Sequence, residues 1–342
     1  MVETSRSGLN VLVTGGAGYI GSFIVRHLLD AGHRPVVYDS LYSGHAWAAQ
    51  EAKLVVGDLA DRRKLEDLLA SQPFDAVVHC AAHIWVGESV RNPLKYYRNN
   101  TLNALGLFDL CAQYGIARIV FSSTAAVYGQ PNVPLLDESL PPDPINPYGA
   151  SKAMAERILI DLAAARGLSY AILRYFNVAG ADAQARIGEA TPDNSHLVKV
   201  ACETALGLRP GMRINGTDYP TPDGTCVRDY VHVDDLARAH VEALAHLAQG
   251  GRSFIANCGY GHGFSVREVL DTVRRVTGVP FRIEEGPRRE GDPAVLVADS
   301  RRLQALLGWR PRHDDLDYIV RTAWNWEQKL HGMNRELERK VS

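Results

Sequence analysis

The sequence predicts an α/β protein built on a doubly wound parallel sheet. From residue 10 to about residue 175, short apolar runs of strand length alternate with longer helical segments. This alternation is typical of a parallel sheet covered by helices on both faces. After Arg174 the segments become shorter and more irregular. We therefore expect a sheet domain over residues 1–177 and a smaller mixed α/β portion over residues 178–342, with some later elements returning to the sheet.

The individual elements follow from apolar periodicity and from helix-start signals. Pro93 and Pro147 each suit the first turn of a helix, where a backbone N–H group has no intrahelical partner. The sheet domain is predicted to contain strands Asn10–Thr14, Pro35–Asp39, Lys53–Val56, Asp75–His79, Arg118–Ser122 and Tyr170–Arg174, and helices Tyr19–Ala31, Asp61–Ala70, Pro93–Tyr114 and Pro147–Ala165. Beyond it we predict helices Leu197–Leu208, Val233–Ala248, Ser265–Thr277 and Leu316–Lys329, and short strands near Ser253–Ala256 and Phe281–Glu284.

A glycine-rich turn directly follows the first strand. Gly16, Gly18 and Gly21 fit G-x-G-x-x-G, while Gly15, Gly18 and Gly21 fit G-x-x-G-x-x-G. Glycines at such spacing allow a tight turn, a close approach of the main chain to a pyrophosphate, and close packing of the strand on the next helix. The N-terminus of that helix favours negative charge. A purely structural loop is the alternative, and the order strand, turn, helix, strand argues against it.

Asp39 ends the second strand, 18 residues after Gly21, close to the spacing of a carboxylate that accepts from ribose hydroxyls. A carboxylate there would repel a 2′-phosphate, and no arginine or lysine follows before Lys53. The sequence therefore predicts a Rossmann-type domain that binds NAD rather than NADP.

Composition excludes several other classes of function. The chain has 342 residues and a formal net charge of −2, which gives no reason to expect nucleic-acid or membrane binding. Its polar N-terminus lacks the apolar core of a secretory signal, and no apolar run approaches the roughly 20 residues needed to span a bilayer. The five cysteines are scattered without C-x-x-C spacing. We expect reduced thiols in a cytoplasmic protein, with no disulfide frame and no metal site.

The sharpest chemical signal is Tyr148 and Lys152, four residues apart on a predicted helix. Residues at i and i+4 share a helix face, so the ammonium is expected to lie near the phenol and to lower its pKa from about 10. Tyr148 would then act as a general acid and base. A solvated helix face is the alternative. Ser122, Ser123 and Thr124 follow the preceding strand, where Thr124 could bind a substrate oxygen or simply satisfy backbone groups.

These motifs resemble those of the extended short-chain dehydrogenase/reductases, and among them the UDP-glucose (galactose) 4-epimerases. The resemblance covers nearly the whole chain. The motifs that carry it are TGGAGYIG, the stretch Asp39–Gly44, Gly57-Asp58, Val86–Ser89, the hydroxyls before Val127-Tyr128-Gly129, the Tyr148–Lys152 pair, Arg174–Asn177, Asp218–Tyr230 and Arg288–Asp292. The glycine turn and the tyrosine–lysine pair indicate only the superfamily. The stretches Asp218–Tyr230 and Arg288–Asp292 are typical of a much smaller group of proteins within it.

The resemblance implies that Tyr148 removes the proton of a sugar 4-hydroxyl while hydride passes from carbon 4 to NAD. The 4-keto sugar then turns over, and the hydride returns to its opposite face. The catalytic residues would be Thr124, Tyr148 and Lys152. Residues matching cofactor positions are Gly15, Gly18, Tyr19, Ile20, Gly21, Asp39, Ser40, Ser43, Gly44, Asp58, Leu59, Cys80, Ala81, Ala82, Asn99, Ser122, Tyr148, Lys152 and Tyr175. Residues matching UDP-sugar positions are Thr124, Tyr148, Asn177, His196, Leu197, Asn215, Arg228, Arg289, Asp292 and Leu296.

The chain departs from the family pattern at four positions. Thr124 stands where serine is common and keeps the hydroxyl. Ile84 replaces a lysine near the pyrophosphate, which predicts weaker cofactor retention. Asn215 replaces an aromatic residue near uracil. Leu296 replaces a bulky tyrosine of some relatives, which predicts that N-acetylated sugars are admitted.

Three other functions are alternatives to the 4-epimerisation of a UDP-hexose. A 4,6-dehydratase would carry an Asp-Glu pair after the strand-end hydroxyl, and Ala125-Ala126 stand there instead. A 4-epimerase for UDP-pentose, UDP-uronic acid or UDP-N-acetylglucosamine stays open, because the nucleotide contacts would be identical. An NAD-binding sensor is disfavoured by the intact Tyr148–Lys152 pair. The resemblance also implies a homodimer through helices Pro93–Tyr114 and Pro147–Ala165, although burial within the monomer would use the same apolar positions.

Overall fold

The computed structural model describes residues 8–192, 194–289 and 292–341, with backbone only for residues 335–341. The strands in chain order are β1 (Asn10–Thr14), β2 (Arg34–Asp39), β3 (Lys53–Val56), β4 (Ala76–His79), β5 (Arg118–Thr124), β6 (Ser169–Tyr175), β7 (Asn177–Ala179), β8 (Met212–Asn215), β9 (Val227–Arg228), β10 (Tyr230–His232), β11 (Phe254–Cys258), β12 (Phe264–Ser265), β13 (Ile283–Gly286) and β14 (Val295–Leu296). The α-helices are α1 (Tyr19–Asp30), α2 (Arg62–Ser71), α3 (Val86–Arg91), α4 (Pro93–Tyr96), α5 (Asn103–Gln113), α6 (Pro147–Arg166), α7 (Leu197–Ala205), α8 (Val233–Ala248), α9 (Val266–Thr277), α10 (Arg301–Leu307) and α11 (Leu316–Val341).

A seven-stranded sheet with the order β11-β6-β5-β4-β1-β2-β3 forms the centre of the first compact unit, which comprises residues 1–127, 146–174 and 237–256. β1 pairs in parallel with both β2 and β4, so that Val13 lies opposite Val37 on one side and Val78 on the other. All three valines are fully buried. Burial on both faces explains why these strands read as continuous apolar runs. The predicted doubly wound parallel sheet is confirmed.

The core of this unit joins one sheet face to the helices that cover it. Buried side chains from the strands and from α2, α5 and α6 form one cluster, which includes Leu12, Leu65, Phe108, Phe121 and Leu159. Each of these five side chains is at most 1% exposed. Burial of a large apolar side chain contributes about 1.5–3 kcal/mol, so this cluster is a principal source of the unit's stability.

The predicted helix Pro93–Tyr114 is not continuous. It divides into α4, a π-helical turn (Tyr97–Leu102) and α5. Within the turn, Asn100 donates through Nδ2 to Ser151 Oγ at 3.1 Å, and Thr101 donates through Oγ1 to the Ser151 carbonyl at 3.0 Å. π-turns of this kind often accompany functional sites. The turn fastens this helical segment to α6, and these tertiary contacts leave no periodic signature in the sequence.

The second compact unit comprises residues 128–145, 175–236 and 257–342. Its strands form three small groups, β12-β9-β14, β10-β7 and β13-β8. A separate core packs α7, α9 and α11 together through buried residues that include Val198, Cys202, Leu270, Val273 and Ile319. Two-residue strands such as β9 and β14 carry too little periodicity to predict, and the sequence analysis missed them together with α3 and α10.

Within the described residues, no helix combines the length and the apolar character that a membrane crossing requires.

Candidate active site

The glycine turn joins β1 to α1 at the carboxyl end of the sheet. Gly15 has φ +74°, and a Cβ at this position would lie 2.6 Å from the Ala81 nitrogen. A Cβ at Gly21 would lie 2.1 Å from the Gly15 carbonyl oxygen. Both positions therefore require glycine. Gly18 is the N-cap of α1, and as a glycine it offers no side chain to the N–H groups at this helix N-terminus. Such a terminus is suited to a phosphate.

Asp39 lies beside this turn at the end of β2. Its carboxylate accepts from Ala17 N at 2.9 Å and from Leu41 N at 2.8 Å, and the residue is only 8% exposed. Burial raises the pKa of Asp39, while the two backbone donors oppose that shift. A carboxylate has about four lone-pair positions, so Asp39 keeps acceptor capacity for ribose hydroxyls. This arrangement matches the predicted dinucleotide site.

The other predicted cofactor residues of this unit lie mainly at strand ends. Asp58 follows β3, where its main-chain oxygen accepts from Tyr38 OH at 3.0 Å. Cys80 follows β4, and its Sγ lies 3.2 Å from Ser122 Oγ in β5. Tyr19 and Ile20 open α1, Ser40, Ser43 and Gly44 follow β2, Leu59 follows Asp58, Ala81 and Ala82 follow Cys80, and Asn99 lies in the π-turn. Tyr175 ends β6 and belongs to the second unit.

The three predicted catalytic residues come together in the first unit. Thr124 ends β5, and its side chain lies beside the Tyr148 phenol. Asn146 caps α6 by accepting from Gly149 N at 2.9 Å, which starts the helix immediately before Tyr148. Lys152 lies one turn further along, with Nζ 2.7 Å from the Ser122 carbonyl oxygen and 4.6 Å from the centre of the Phe121 ring. The solvated-face alternative is wrong, since Tyr148 and Lys152 are 8% and 2% exposed.

The expected lowering of the Tyr148 pKa is not observed. Burial raises the pKa of Tyr148, and the hydrogen bond from Thr124 opposes this only in part. Lys152 donates to the main chain of β5 rather than to the phenol, and burial lowers the pKa of Lys152 to about 8. The i, i+4 spacing does place both groups on one face of the helix. Burial also removes both groups from water, and this desolvation decides the direction of both pKa shifts.

Two charged residues behind this trio were missed by the sequence analysis. Glu156 lies on α6 one turn beyond Lys152 and accepts from Ser123 Oγ and from Arg174, whose Nη2 lies 2.6 Å from Glu156 Oε2. The side chains of Glu156 and Arg174 are 3% and 4% exposed. The i+8 spacing from Tyr148 could have indicated Glu156. His240 Nε2 lies 2.8 Å from Ser122 Oγ, and no local pattern marks that contact between residues 118 positions apart.

Two of the predicted UDP-binding residues in the second unit are arginines, and each of them contacts a polar or charged side chain. Arg228 in β9 pairs with Asp292. Asp229 instead accepts backbone N–H groups of Tyr260, Gly261 and Ala298, and burial raises its pKa to about 6. The Arg228–Asp292 pair is well shielded, since the arginine side chain is 8% exposed.

The second arginine, Arg289, contacts the end of β8. With the Asn215 amide oxygen turned toward it, Arg289 donates from Nη2 and Nε, each at 3.2 Å. The next two residues, Glu290 and Gly291, lie outside the described residues. Asn215 thus supplies an acceptor for the guanidinium at a position where an aromatic residue would supply none.

Three further predicted substrate residues lie at element boundaries of this unit. Asn177 begins β7 and is exposed, and Leu296 in β14 lies opposite Arg228 in the parallel register. Leu197 begins α7 directly after His196. His196 Nδ1 lies 2.6 Å from Glu189 Oε1. Although burial lowers the pKa of His196, the Glu189 carboxylate raises it further, and the net pKa lies above the ordinary value.

The fold and the first-unit residues define a dinucleotide-binding α/β protein in which Thr124, Tyr148 and Lys152 lie at the same sheet edge as the glycine turn. The chain belongs to the NAD dependent epimerase/dehydratase family, whose sequence profile matches residues 11–259.

Known proteins that resemble the chain do so over almost its full length. It is 53% identical to UDP-glucose 4-epimerase of Azospirillum brasilense, over 96% of this chain and 95% of that protein. The crystal structure of UDP-glucose 4-epimerase from Brucella ovis in complex with NAD matches with a TM-score of 0.91 at 43% identity, over 93% of this chain and 98% of that one. The UDP-Glc/GlcNAc 4-epimerase of Campylobacter jejuni matches with a TM-score of 0.83 at 45% identity, over 94% and 100% of the two chains.

Proposed function

We propose that this chain catalyses the reversible epimerisation at carbon 4 of a UDP-hexose, interconverting UDP-galactose and UDP-glucose. The observation that carries the proposal is the burial of Thr124, Tyr148 and Lys152 at the sheet edge that also holds the glycine turn. The extensive identity to a UDP-glucose 4-epimerase supports this substrate class.

The cofactor in this proposal is NAD, and the first-unit residues fit it. The close approaches at Gly15 and Gly21 fix the tight turn that leads into α1, the helix N-terminus is suited to a pyrophosphate, and the Asp39 carboxylate retains acceptor positions for a ribose. When bound, NAD would supply the hydride acceptor, and in the return step the hydride donor, for carbon 4 of the sugar. The residues Asp58, Leu59, Cys80–Ala82 and Asn99 would hold the rest of the dinucleotide.

Tyr148 is proposed to move the proton of the sugar 4-hydroxyl. Tyr148 enters this step as a phenolate, its own proton having passed to solvent. As carbon 4 loses its hydride, the hydroxyl becomes a carbonyl, and its proton passes to the phenolate oxygen of Tyr148; in the return step this proton is restored to the 4-oxygen. The Thr124 hydroxyl, which counters part of the rise in the Tyr148 pKa, is proposed to stabilise the phenolate charge. A second function of Thr124 is to orient the 4-oxygen toward Tyr148.

Lys152 is proposed to assist through its charge and its position. Burial lowers the pKa of Lys152 to about 8, so at pH 7 most of the side chain is still an ammonium. That cation lies one helical turn from Tyr148 and favours the phenolate form during proton transfer. Its contact with the Ser122 carbonyl, at 2.7 Å, fixes the long side chain without neutralising its charge.

The UDP group is proposed to bind the second unit through Arg228 and Arg289. Planar guanidinium groups form paired, charge-assisted hydrogen bonds to phosphate oxygens. Asp292 and Asn215 orient the two arginines in this proposal, since each contacts one of them. Firm binding of the nucleotide allows the 4-keto sugar itself to rotate within the site. Asn177, His196, Leu197 and Leu296 complete the proposed substrate contacts.

The test is proton NMR of the purified protein with UDP-galactose and no added cofactor. Growth of the UDP-glucose anomeric signal without net formation of reduced cofactor would support the proposal. Signal only after addition of NAD would support epimerisation with weak cofactor retention, as Ile84 predicts. Bound NAD with no turnover of any UDP-sugar would contradict the proposal and indicate a sensor.

A second candidate substrate class is the N-acetylated UDP-sugars. Leu296 is half-buried in β14 beside Arg228, and leucine occupies less volume than tyrosine there. The similarity to a protein named for both UDP-Glc and UDP-GlcNAc is in keeping with this activity. Leu296→Tyr is expected to lower kcat/KM for UDP-GlcNAc while largely retaining that for UDP-galactose. Equal effects on both sugars would contradict a role in selectivity.

We also propose that the chain is a homodimer. The helices α3–α6 expose an apolar surface that includes Val90, Leu94, Leu102, Leu105 and Met154, with Leu94 and Leu102 about 60% exposed. Large exposed apolar patches usually mark interfaces, and we propose that these side chains form one. Leu102→Lys is expected to convert dimer to monomer in light scattering after gel filtration. Leu306→Lys, at an exposed leucine of α10, is the matched control.

A cytoplasmic location is proposed from the cysteines. Cys80, Cys111, Cys202, Cys226 and Cys258 are all free thiols, and the last four are buried. Thiols persist in a reducing compartment. Recovery of the native protein in the cytosolic fraction would test this, and recovery in an oxidising compartment would contradict it.

A further inference from the structure

Two segments flank the glycine turn at the carboxyl edge of the sheet. β1 lies between β2 and β4, so the loop of residues 40–45 after β2 and the segment of residues 80–96 after β4 lie on opposite sides of the turn. The turn contacts both of them. A Cβ at Gly15 would lie 2.6 Å from Ala81 N, and His45 N donates to the Ala17 carbonyl at 3.0 Å.

Side chains join these two outer segments to each other. Lys95 Nζ donates to Tyr42 OH at 3.2 Å and pairs with Glu88 Oε1 at 2.7 Å. The Tyr42 ring meets the His83 ring edge-on, with centroids 5.1 Å apart and planes at 72°. We call Tyr42, His83, Glu88 and Lys95 the clasp. It connects the segments that follow β2 and β4 at the edge where the turn after β1 also lies.

The half of the clasp that follows β4 is firmly held. The main chain of His83 is held by the buried Asn100, which accepts from His83 N at 2.8 Å and donates to its carbonyl at 2.9 Å. Tyr96 is fully buried and donates through its OH to Glu88 Oε2 at 2.9 Å. The hydrogen bond with Lys95 lowers the pKa of Glu88, so the Glu88 carboxylate is charged at neutral pH.

The other half of the clasp, in the loop of residues 40–45 after β2, is fastened at both ends but exposed at its tip. Leu41 N donates to Asp39, and His45 N donates to Ala17, so both ends of the loop are fastened. Leu41 has φ +58°, which is unfavourable for a leucine. Tyr42 at the tip is 62% exposed. Rotation of this one side chain would release the clasp, and such rotations are fast compared with enzymatic turnover.

We propose that the clasp closes over a dinucleotide bound at the glycine turn and sets the rates at which NAD enters and leaves, an inference that rests on the proposed function. A ligand with its phosphates at the α1 N-terminus and its ribose at Asp39 lies at the turn that the two joined segments flank. In this proposal it passes between these segments to enter or leave. Exposed contacts of the Tyr42 type are individually weak, so the clasp slows exchange without preventing it.

The experiment measures NADH binding by stopped-flow fluorescence in wild type, Tyr42→Ala and Tyr42→Phe, each as the full chain freed of nucleotide. Release is started by mixing the NADH complex with excess NAD. Tyr42→Ala is expected to raise the rates of both association and release by about tenfold, because opening a gate accelerates passage in both directions. Tyr42→Phe, which keeps the ring beside His83 but loses the hydroxyl, is expected to show an intermediate increase.

Tyr114→Ala is the matched control, because Tyr114 is a 42% exposed tyrosine of the same unit outside the clasp. Release rates in Tyr42→Ala that equal those of wild type and the control would overturn the clasp. Faster release with unchanged association would also overturn it, since it would indicate a lost contact rather than a gate. Wild type that binds no NADH would overturn both proposals, whereas clasp-dependent NADH exchange without UDP-sugar turnover would overturn the proposed function alone.

Discussion

Glu156→Gln is expected to destabilise the first unit strongly. The carboxylate of Glu156 accepts from Arg174 Nε at 3.0 Å and from Nη2 at 2.6 Å, and it also accepts from Ser123. Both charged side chains are at least 96% buried. Replacing the carboxylate breaks a buried ion pair from one side, which costs about 3–5 kcal/mol. Because Glu156 lies one turn from Lys152 on α6, the loss also loosens the helix that carries Tyr148.

Urea unfolding at pH 7, followed by tryptophan fluorescence and far-UV circular dichroism, measures this effect. With an m-value of about 3 kcal/mol per molar urea, the midpoint should fall by about 1–1.7 M. The double variant Glu156→Met/Arg174→Met should recover most of the lost stability, since an apolar pair of similar volume often replaces a buried ion pair without loss. A coupling energy of several kcal/mol between the two sites is therefore expected.

The matched control lies on the same helix. Arg157 and Asp161 form an exposed i, i+4 pair, with side chains 77% and 59% exposed. Asp161→Asn should leave the unfolding midpoint unchanged, because water screens such a pair. If Glu156→Gln behaves like Asp161→Asn, or if the two methionine substitutions are simply additive, then the ion pair does not hold α6 to the sheet as argued.

Three further predictions concern protonation. Tyr148→Phe should lower kcat by about 10²–10⁴-fold without loss of NAD binding, and an unchanged kcat would exclude Tyr148 as the acid–base group. Lys152→Met should stabilise the fold by up to roughly 3 kcal/mol at pH 7, because burial lowers the Lys152 pKa from 10.5 to about 8. The charged Lys152 side chain destabilises the wild-type fold fully below pH 8, and this cost disappears as pH rises toward 10.5. The free energies of unfolding of wild type and Lys152→Met should therefore converge near pH 10.5. Glu189→Gln should destabilise more at pH 5.5 than at pH 8.5, because the raised pKa of His196 gives stability below pH 6.5 that is lost as pH rises through its folded value. A pH-independent difference would contradict the Glu189–His196 interaction.

Several parts of the fold could be predicted because they depend on neighbours in the sequence. The predicted bounds of Asn10–Thr14, Lys53–Val56 and Val233–Ala248 agree with β1, β3 and α8. Strands buried on both faces read as continuous apolar runs, and an amphipathic helix shows its period directly. The Tyr148–Lys152 pair was predictable for the same reason, since one helical turn brings i and i+4 to one face.

Contacts between distant positions could not be predicted in this way. Burial decides the direction of the Tyr148 pKa shift, and burial depends on the packing of β5 against α6. Asp292, 64 positions away, pairs with Arg228, while the adjacent Asp229 binds backbone groups instead. The π-turn forms because Asn100 and Thr101 bond to Ser151.

The sequence by itself determined the sheet, the glycine turn and the types of catalytic group, because each follows from local spacing and residue chemistry. Only the tertiary structure decided how those groups are held and shielded. The Glu156–Arg174 pair joins α6 to β6, and the contact of Tyr42 with Lys95 joins residues 53 positions apart. Such contacts depend on the free energy of the packed chain as a whole, in which desolvation competes with charge pairing over distances that no local pattern records.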